Sequence, residues 1–288
     1  DPRVIWANPG EALADPDVAS MYPSFIVNYG VSPHHLSSKV FLGIVEWLRT
    51  TRLDAKHNGR KLEADALKIV INRIYGALND AMDYLYDPEC TYTVTINLQL
   101  LLCNLIESFE LNGFDVLSAN TDGLLIRRPN DRLDLFNHIC KEWEDYSKLS
   151  LDTEVFEKYC RSAVNDYIAV GYGFYDALQE YNRCGVWIDS KSNTYTTRQA
   201  IEDKFIKFKG YFLQDPEYNK GFVYPVVKKA LKEYFLYGVD ITEFIRNYIN
   251  TSRTAIYDYC FSQKVAGKYT TIYKTVRDGK PVYIKCQK

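Results

Sequence analysis

Asp17-Val18-Ala19-Ser20-Met21-Tyr22-Pro23-Ser24 puts an acid, small residues, an aromatic and a proline in a fixed order. Asp17 ends a short apolar lead and is suited to hold a cation, while the residues after it turn the backbone and set Tyr22 on a proline-stiffened segment. An acid before an aromatic also describes a plain strand end over a buried tyrosine. A functional reading therefore requires a second carboxylate from elsewhere in the chain.

Downstream, residues 25–33 read as a short apolar segment closed by Gly30 and Pro33, and His34 and His35 follow in a solvated loop. From residue 39 to 57, Phe41, Ile44, Val45 and Leu48 recur at helical spacing, with Arg49, Arg52 and Lys56 on another stripe. Asn58-Gly59 stops that helix. A second helical pattern covers residues 61–78, carrying Lys68, Asn72 and Tyr75 on one side and ending at Gly76-Ala77-Leu78. Two such helices joined by a tight turn gather Arg52, Lys56 and Lys68 into a cationic comb suited to a triphosphate. Two solvated helix faces are the bland equivalent.

Residues 92–96 alternate as a short strand and residues 98–111 as an apolar helix. Then Phe114-Asp115-Val116-Leu117-Ser118-Ala119, Asn120-Thr121-Asp122-Gly123 and Leu124-Leu125-Ile126-Arg127 read as strand, turn, strand, with Gly123 supplying a positive φ. The turn becomes functional if its tip presents Asp122 to Asp17. Residues 133–147 form an amphipathic helix, Asp152-Thr153-Glu154 reads as a helix start, and residues 164–170 as a strand containing Tyr167. Beyond Tyr195 the chain turns basic with Lys204, Lys207 and Lys209, followed by helices over 224–237 and 241–251 and terminal strands around Gly279 and Pro281.

Composition places these pieces in a soluble, multi-lobed chain of 288 residues, 47% hydrophobic and 25% charged. The 24 tyrosines suit flat, polar ligands such as nucleic acid, and amphipathic packing equally. The formal charge of -2 conceals an asymmetry: residues 1–200 carry 19 basic against 28 acidic side chains, residues 201–288 carry 16 against 9. An acidic front that collects metal ions and a basic tail that grips a polyanion account for that layout, as does a solvated basic face. Seven cysteines without a C-x-x-C fit free thiols in an intracellular, reducing compartment. The most apolar run, residues 98–106, is too short to span a bilayer, so no membrane partner is expected. Neither an internal repeat nor a signal peptide is seen, and the start at Asp1 points to a fragment or a processed chain.

Together the motifs resemble those of family B DNA polymerases. The family's D-x-x-S-L-Y-P-S corresponds to residues 17–24 with Met21 for Leu, and residues 28–33 are similar to the N-x-S-P segment that follows it. Its K-x-x-x-N-S-x-Y-G corresponds to Lys68, Asn72, Tyr75 and Gly76 with Arg73 for Ser, and an upstream R-x-x-x-K to Arg52 and Lys56. Its Y-x-D-T-D-S/G corresponds to residues 118–123, with Ser118 for Tyr and Asn120 for the first acid. Asn165-Asp166-Tyr167 resembles the K-x-Y primer-gripping element without its Lys.

The resemblance implies an α+β right-hand polymerase: an antiparallel-sheet palm over residues 1–37 and 81–167, a two-helix fingers hairpin over 38–80, and a mostly helical thumb with the C-terminal region over 168–288. It implies template-directed addition of dNMP to a primer 3'-hydroxyl with two Mg2+ ions, for which Mn2+ substitutes. Asp17, Asp122 and Lys68 take catalytic roles, and Asp17, Asp122 and the Val18 carbonyl hold metal. Val18, Ser20, Met21, Tyr22, Arg52, Lys56, Lys68, Asn72 and Tyr75 meet the dNTP, with Tyr22 as a steric gate against a 2'-hydroxyl. Gly76, Thr121, Tyr167, Lys207 and Lys209 meet primer-template DNA. Only 16 residues precede the first motif, so the expectation is a minimal, virus- or phage-like core in the host cytoplasm, without its own 3'-5' exonuclease, which a separate exonuclease or N-terminal domain would supply. Replacement of Asn120 by Ala is expected to be mild. A non-catalytic primer-template binding module derived from a polymerase is the alternative.

Overall fold

Residue 17 lies one residue before the end of a strand inside the sheet. The computed structural model describes residues 3–163, 165–191, 193–210 and 224–260, together with the backbone of 272–277 and 280–285. The chain divides into two units, Asp1–Val164 with Ala169–Lys207 and Asn165–Ile168 with Phe208–Lys288. Among the described residues the architecture is α+β with an antiparallel sheet and nine α-helices.

In the first unit, strands β1 (Arg3–Trp6) and β2 (Glu11–Val18) precede helices α1 (Met21–Tyr29), α2 (Ser38–His57), α3 (Lys61–Leu78) and α4 (Pro88–Leu111). Then come β3 (Asp115–Ala119), β4 (Leu124–Pro129), α5 (Leu133–Ser147) and the long β5 (Leu151–Ala163). The sheet runs β3-β4-β2-β5, with β1 also paired to β5. Strands β6 (Asp166–Gly171) and β9 (Ile206–Lys209) each have residues in both units. Between those two lie α6 (Phe174–Cys184), the two-residue strands β7 (Trp187–Ile188) and β8 (Thr194–Tyr195), and α7 (Arg198–Phe205). Strand β2 has neighbours on both edges, so Ala12, Leu13 and Ala14 are fully buried.

The helices follow their apolar stripes. Helix α2 buries Phe41, Val45 and Leu48, and α5 buries Phe136, Ile139 and Trp143. Trp143 Nε1 also donates to the Leu101 carbonyl of α4 at 2.8 Å. Between α2 and α3, Gly59 takes φ +70°, a value that a side chain would disfavour.

Four local expectations change. Residues 21–29 form helix α1, because Pro23 sits in its first turn, where its ring is tolerated, and Gly30 closes it in the left-handed region with its N–H on the Val27 carbonyl. The strand expected at 92–96 is the first half of α4: Asp87 caps it by accepting from the Cys90 N–H at 3.1 Å and Pro88 opens it, which outweighs the β propensity of the Thr-Tyr-Thr-Val run. Residues 152–154 lie in strand β5, where pairing with β2 overrides their resemblance to a helix cap. His34 and His35 do lie in an exposed loop, yet both have partners: His34 on Asp87, and His35 Nε2 on the Tyr84 carbonyl at 2.8 Å.

Helix α4 is long and apolar enough, by length and composition, to cross a bilayer, with mean hydropathy 1.2 over its most apolar window. Val94, Leu98, Leu105 and Phe109 nonetheless bury one of its sides in the core, and Phe109 stacks on Phe136 at 5.1 Å.

In the second unit, α8 (Pro225–Tyr237) opens on Pro225 and buries Val226 and Ala230. Helix α9 (Ile241–Tyr248) is capped by Asp240 and ends three residues short of the expected 251. Lys229 Nζ binds the Asp258 carboxylate at 2.6 Å and also meets the Tyr248 hydroxyl, which itself donates to Asp258 at 2.5 Å. Strands β10 (Ile272–Arg277) and β11 (Lys280–Lys285) form an antiparallel hairpin. The six cysteines among the described residues are all free thiols.

Candidate active site

The hairpin between β3 and β4 carries Asn120-Thr121-Asp122-Gly123 at its tip. Asn120 Oδ1 accepts the backbone N–H of Asp122 at 2.8 Å and that of Gly123 at 2.6 Å, so the residue in the place of an acid holds the turn closed. The tip is stitched to the end of β2. Val18 donates its N–H to the Asp122 carbonyl at 2.6 Å, and Asp17 and Gly123 form an antiparallel bridge.

Gly123 does not take a positive φ, contrary to expectation. It is required for a different reason. A Cβ on Gly123 would lie 2.8 Å from Asp17 Oδ1 and 3.1 Å from the Pro16 carbonyl oxygen. On the other edge of β2, Asp152 of β5 stands opposite Asp17 in the register.

These acids open into a cleft of about 430 Å3, between the end of β2, the start of α1 and the helices α2 and α3. Its lining includes Asp17, Asp122 and Asp152; Val18, Ser20, Met21 and Tyr22; Arg52 and Lys56; and Lys68, Asn72 and Tyr75. Every residue that the motifs suggest for metal or nucleotide thus falls in one cavity. Asp152 joins them without having been foreseen; the β-branched Thr153 and Val155 around it point to a strand, but not to its pairing with Asp17.

The cleft is organised by a few specific contacts. Tyr22 and Tyr75 stack with ring centroids 4.0 Å apart, and the Tyr75 hydroxyl is 2.6 Å from Thr95 Oγ1 of α4. Burial, then the neighbouring Tyr75 and Asp122, pushes the Tyr22 phenol above its ordinary pKa, so it stays neutral. Arg52 Nη1 donates to Ser20 Oγ at 2.7 Å, while its buried Nε has no partner. Lys56 Nζ is 3.9 Å from Asp152 Oδ2, and Lys68 is exposed. Arg49, on the same stripe, is held by Glu46 instead. Ser20, the residue before α1, sits in the left-handed region at φ 49°.

Gly76 and Thr121 lie outside this lining. Gly76 follows Tyr75 on α3 with open space beside its Cα, and Thr121 is exposed at the hairpin tip, on a second cavity of about 400 Å3 that Met21, Tyr22, Thr95 and Asn120 also line. Lys207 binds Glu154 at 2.7 Å. Tyr167 and Lys209 belong to the second unit, where the Tyr167 ring is buried with the Lys209 ammonium 5.7 Å from its centroid.

Three carboxylates, of Asp17, Asp122 and Asp152, give the cleft an all-oxygen donor set, the kind that suits a hard divalent cation such as Mg2+. The cationic side chains opposite suit a polyphosphate.

No protein-family model matches the chain. Over 182 residues it is 27% identical to a DNA polymerase of Thermococcus gorgonarius, a match covering 52% of this chain and 23% of that protein. Over 116 residues it is 26% identical to DNA polymerase II of Escherichia coli strain K12, covering 40% and 14% respectively. A DNA polymerase of Thermococcus sp. strain 9oN-7 is 27% identical over 180 residues, covering 50% and 22%. These similarities, with the three ordered motifs, support the family B assignment. The family B DNA polymerase structure from the hyperthermophilic archaeon Pyrobaculum calidifontis aligns at a TM-score of 0.48 and 15% identity, over 87% of this chain and 33% of that one. The matches span about a quarter or less of the curated polymerases.

Proposed function

We propose that this chain is a DNA polymerase core that adds dNMP to a primer 3'-hydroxyl under the direction of a template. The observation that carries the proposal is the meeting of Asp17, Asp122, Tyr22 and the Arg52, Lys56 and Lys68 cations in one cleft. On this reading residues 1–37 and 81–167 are the palm, 38–80 the fingers, and 168–288 the thumb and C-terminal region.

Asp17, Asp122 and the Val18 carbonyl would hold two Mg2+ ions, which when bound favour the deprotonated primer hydroxyl and offset charge on the phosphate oxygens. The primer O3' bonds to the α-phosphorus as the bond from that phosphorus to the bridging oxygen breaks, releasing pyrophosphate. Arg52, Lys56 and Lys68 stabilise the charge that builds on the β- and γ-phosphates, and Lys68 donates a proton to the leaving pyrophosphate. The N–H groups that open α1, at Met21 and Tyr22, add their partial positive charge. Ser20 contributes by anchoring Arg52.

Tyr22 lies beneath the incoming sugar and leaves no room for a 2'-hydroxyl. Asn72 and Tyr75 line the nascent base pair. Gly76, Thr121 and Lys207 hold the primer-template backbone without reading sequence. Lys209 of the second unit meets DNA in the same way, whereas Tyr167 is buried and acts only as the ring near the Lys209 ammonium. Asp152 orients Lys56 across the cleft. Partners on this reading are primer-template DNA and dNTPs, in a reducing intracellular compartment.

The test is extension of a labelled primer on a template by the purified chain, with dNTPs and Mg2+ or Mn2+. Stepwise, template-matched extension that stops on chelation is expected. A folded chain that binds primer-template and extends it with neither metal overturns the proposal and leaves a binding module.

A further inference from the structure

His34, Asp87 and Cys90 do not line the cleft, yet their ligand atoms all lie within 4.8 Å of one another. Asp87 is the buried hub. Its Oδ1 accepts the Cys90 N–H at 3.1 Å, and its Oδ2 accepts the His34 N–H at 2.9 Å and lies 2.8 Å from His34 Nδ1. The Cys90 thiol is buried, with its sulfur within 4.8 Å of the ligand atoms of Asp87 and His34. An imidazole, a carboxylate and a thiol therefore converge on one place, whose His34 edge is open to solvent.

We propose that His34 Nδ1, Asp87 Oδ2 and Cys90 Sγ form a structural site for a borderline-soft divalent cation of the Zn2+ type, with water as the fourth ligand. Asp87 and Cys90 are spaced as D-x-x-C on the first turn of α4, the two-residue gap common between paired zinc ligands. A mixed sulfur, nitrogen and oxygen set favours Zn2+ over Mg2+, which separates this site from the all-oxygen cleft.

Binding displaces the protons on Nδ1 and Sγ. The cation takes the Nδ1 lone pair and the Sγ electron pair, the thiol proton goes to solvent, and the imidazole proton passes by way of solvent from Nδ1 to Nε2. Nε2 has a carboxylate ready to receive that proton's hydrogen bond, since Glu89 Oε2 lies 3.9 Å away. The ion would join the segment that leads into α2 to the segment that leaves α3. Those two strands of chain are already linked by His34 on Asp87 and His35 on the Tyr84 carbonyl.

Co2+ is the probe, added to the full chain after chelation and dialysis. A thiolate-to-Co2+ charge-transfer band that saturates at one equivalent and is displaced by Zn2+ is expected. It should vanish in Cys90→Ser, weaken in His34→Gln, and persist in Cys103→Ser and in Asp122→Asn. Zn2+ should raise the thermal midpoint of the wild type and leave that of Cys90→Ser unchanged, provided circular dichroism shows the variant folded. No band, or a band that survives Cys90→Ser, overturns the site and leaves a hydrogen-bonded clasp only.

Discussion

Val18 donates its backbone N–H to the carbonyl oxygen of Asp122 at 2.6 Å, so Asp17 and Asp122 sit on segments whose backbones are hydrogen-bonded to each other. Their relative position is therefore set by main chain rather than by side-chain packing. Two separate acids become one rigid platform.

Gly123 tests that platform. Replacement by Ala places a methyl group 2.8 Å from Asp17 Oδ1 and against the Pro16 carbonyl, so the hairpin tip must shift. A displacement of that size is expected to lower primer extension about 100-fold. Steady-state kinetics measured beside the circular dichroism spectrum checks it, and unchanged activity in a folded Gly123→Ala would show the spacing to be irrelevant.

Asn120 separates charge from geometry. Asn120→Ala leaves the N–H groups of Asp122 and Gly123 without their acceptor, and a loss of about ten-fold in activity is expected, more than its sequence position alone suggests. Asn120→Asp keeps the acceptor and should retain activity. Comparable loss in both variants would mean that the amide donors, not the carbonyl oxygen, matter.

The acids themselves should rank. Asp17→Asn and Asp122→Asn are each expected to lower the primer-extension rate about 1000-fold or more with folding intact. Asp152→Asn, whose nearest cation is Lys56 at 3.9 Å, should cost about ten-fold. Single-turnover rates for the three variants give the order directly.

Tyr22→Ala opens the floor of the cleft and removes the ring that stacks on Tyr75. The ratio of ribonucleotide to deoxynucleotide insertion should rise at least about ten-fold. Tyr75→Phe keeps the stack but loses the hydroxyl at Thr95, and should leave that ratio unchanged.

In the second unit, the Asp258 carboxyl is pulled two ways: burial raises its pKa, but hydrogen bonds from Lys229 and Tyr248 prevail and hold it below the ordinary 3.8. Its folded pKa is depressed, so its stabilising contribution is complete above about pH 3.8 and is lost as pH falls through the lower, folded value. The thermal midpoint of the wild type should drop more steeply on acidification below that pH than that of Asp258→Asn.

Periodicity made the long helices legible. The spans 61–78 and 133–147 match α3 and α5 end to end, and 39–57 misses α2 by one residue, because each has an apolar stripe at regular spacing. Helix α1 was hidden because Pro23 and Gly30 look like loop punctuation, although one is tolerated in a first turn and the other is a terminator. Residues 92–96 resembled a strand because β-branched residues outnumber helix formers there, and the Asp87 cap lies several residues upstream. Asp152 was out of reach for a different reason. Its place beside Asp17 is a matter of strand register between residues far apart in the chain, which no local pattern encodes. The partners of His34 and His35 are non-local in the same way.

Ser20 holds φ at 49°, a conformation that costs a residue with a side chain about 1 kcal/mol and costs glycine little. Glycine would relax that turn but would also delete the hydroxyl that Arg52 grips at 2.7 Å. Selection of random variants for heat resistance alone should therefore drift toward glycine at this position, while selection for turnover should hold the serine. The position would record which of the two pressures a lineage has been under.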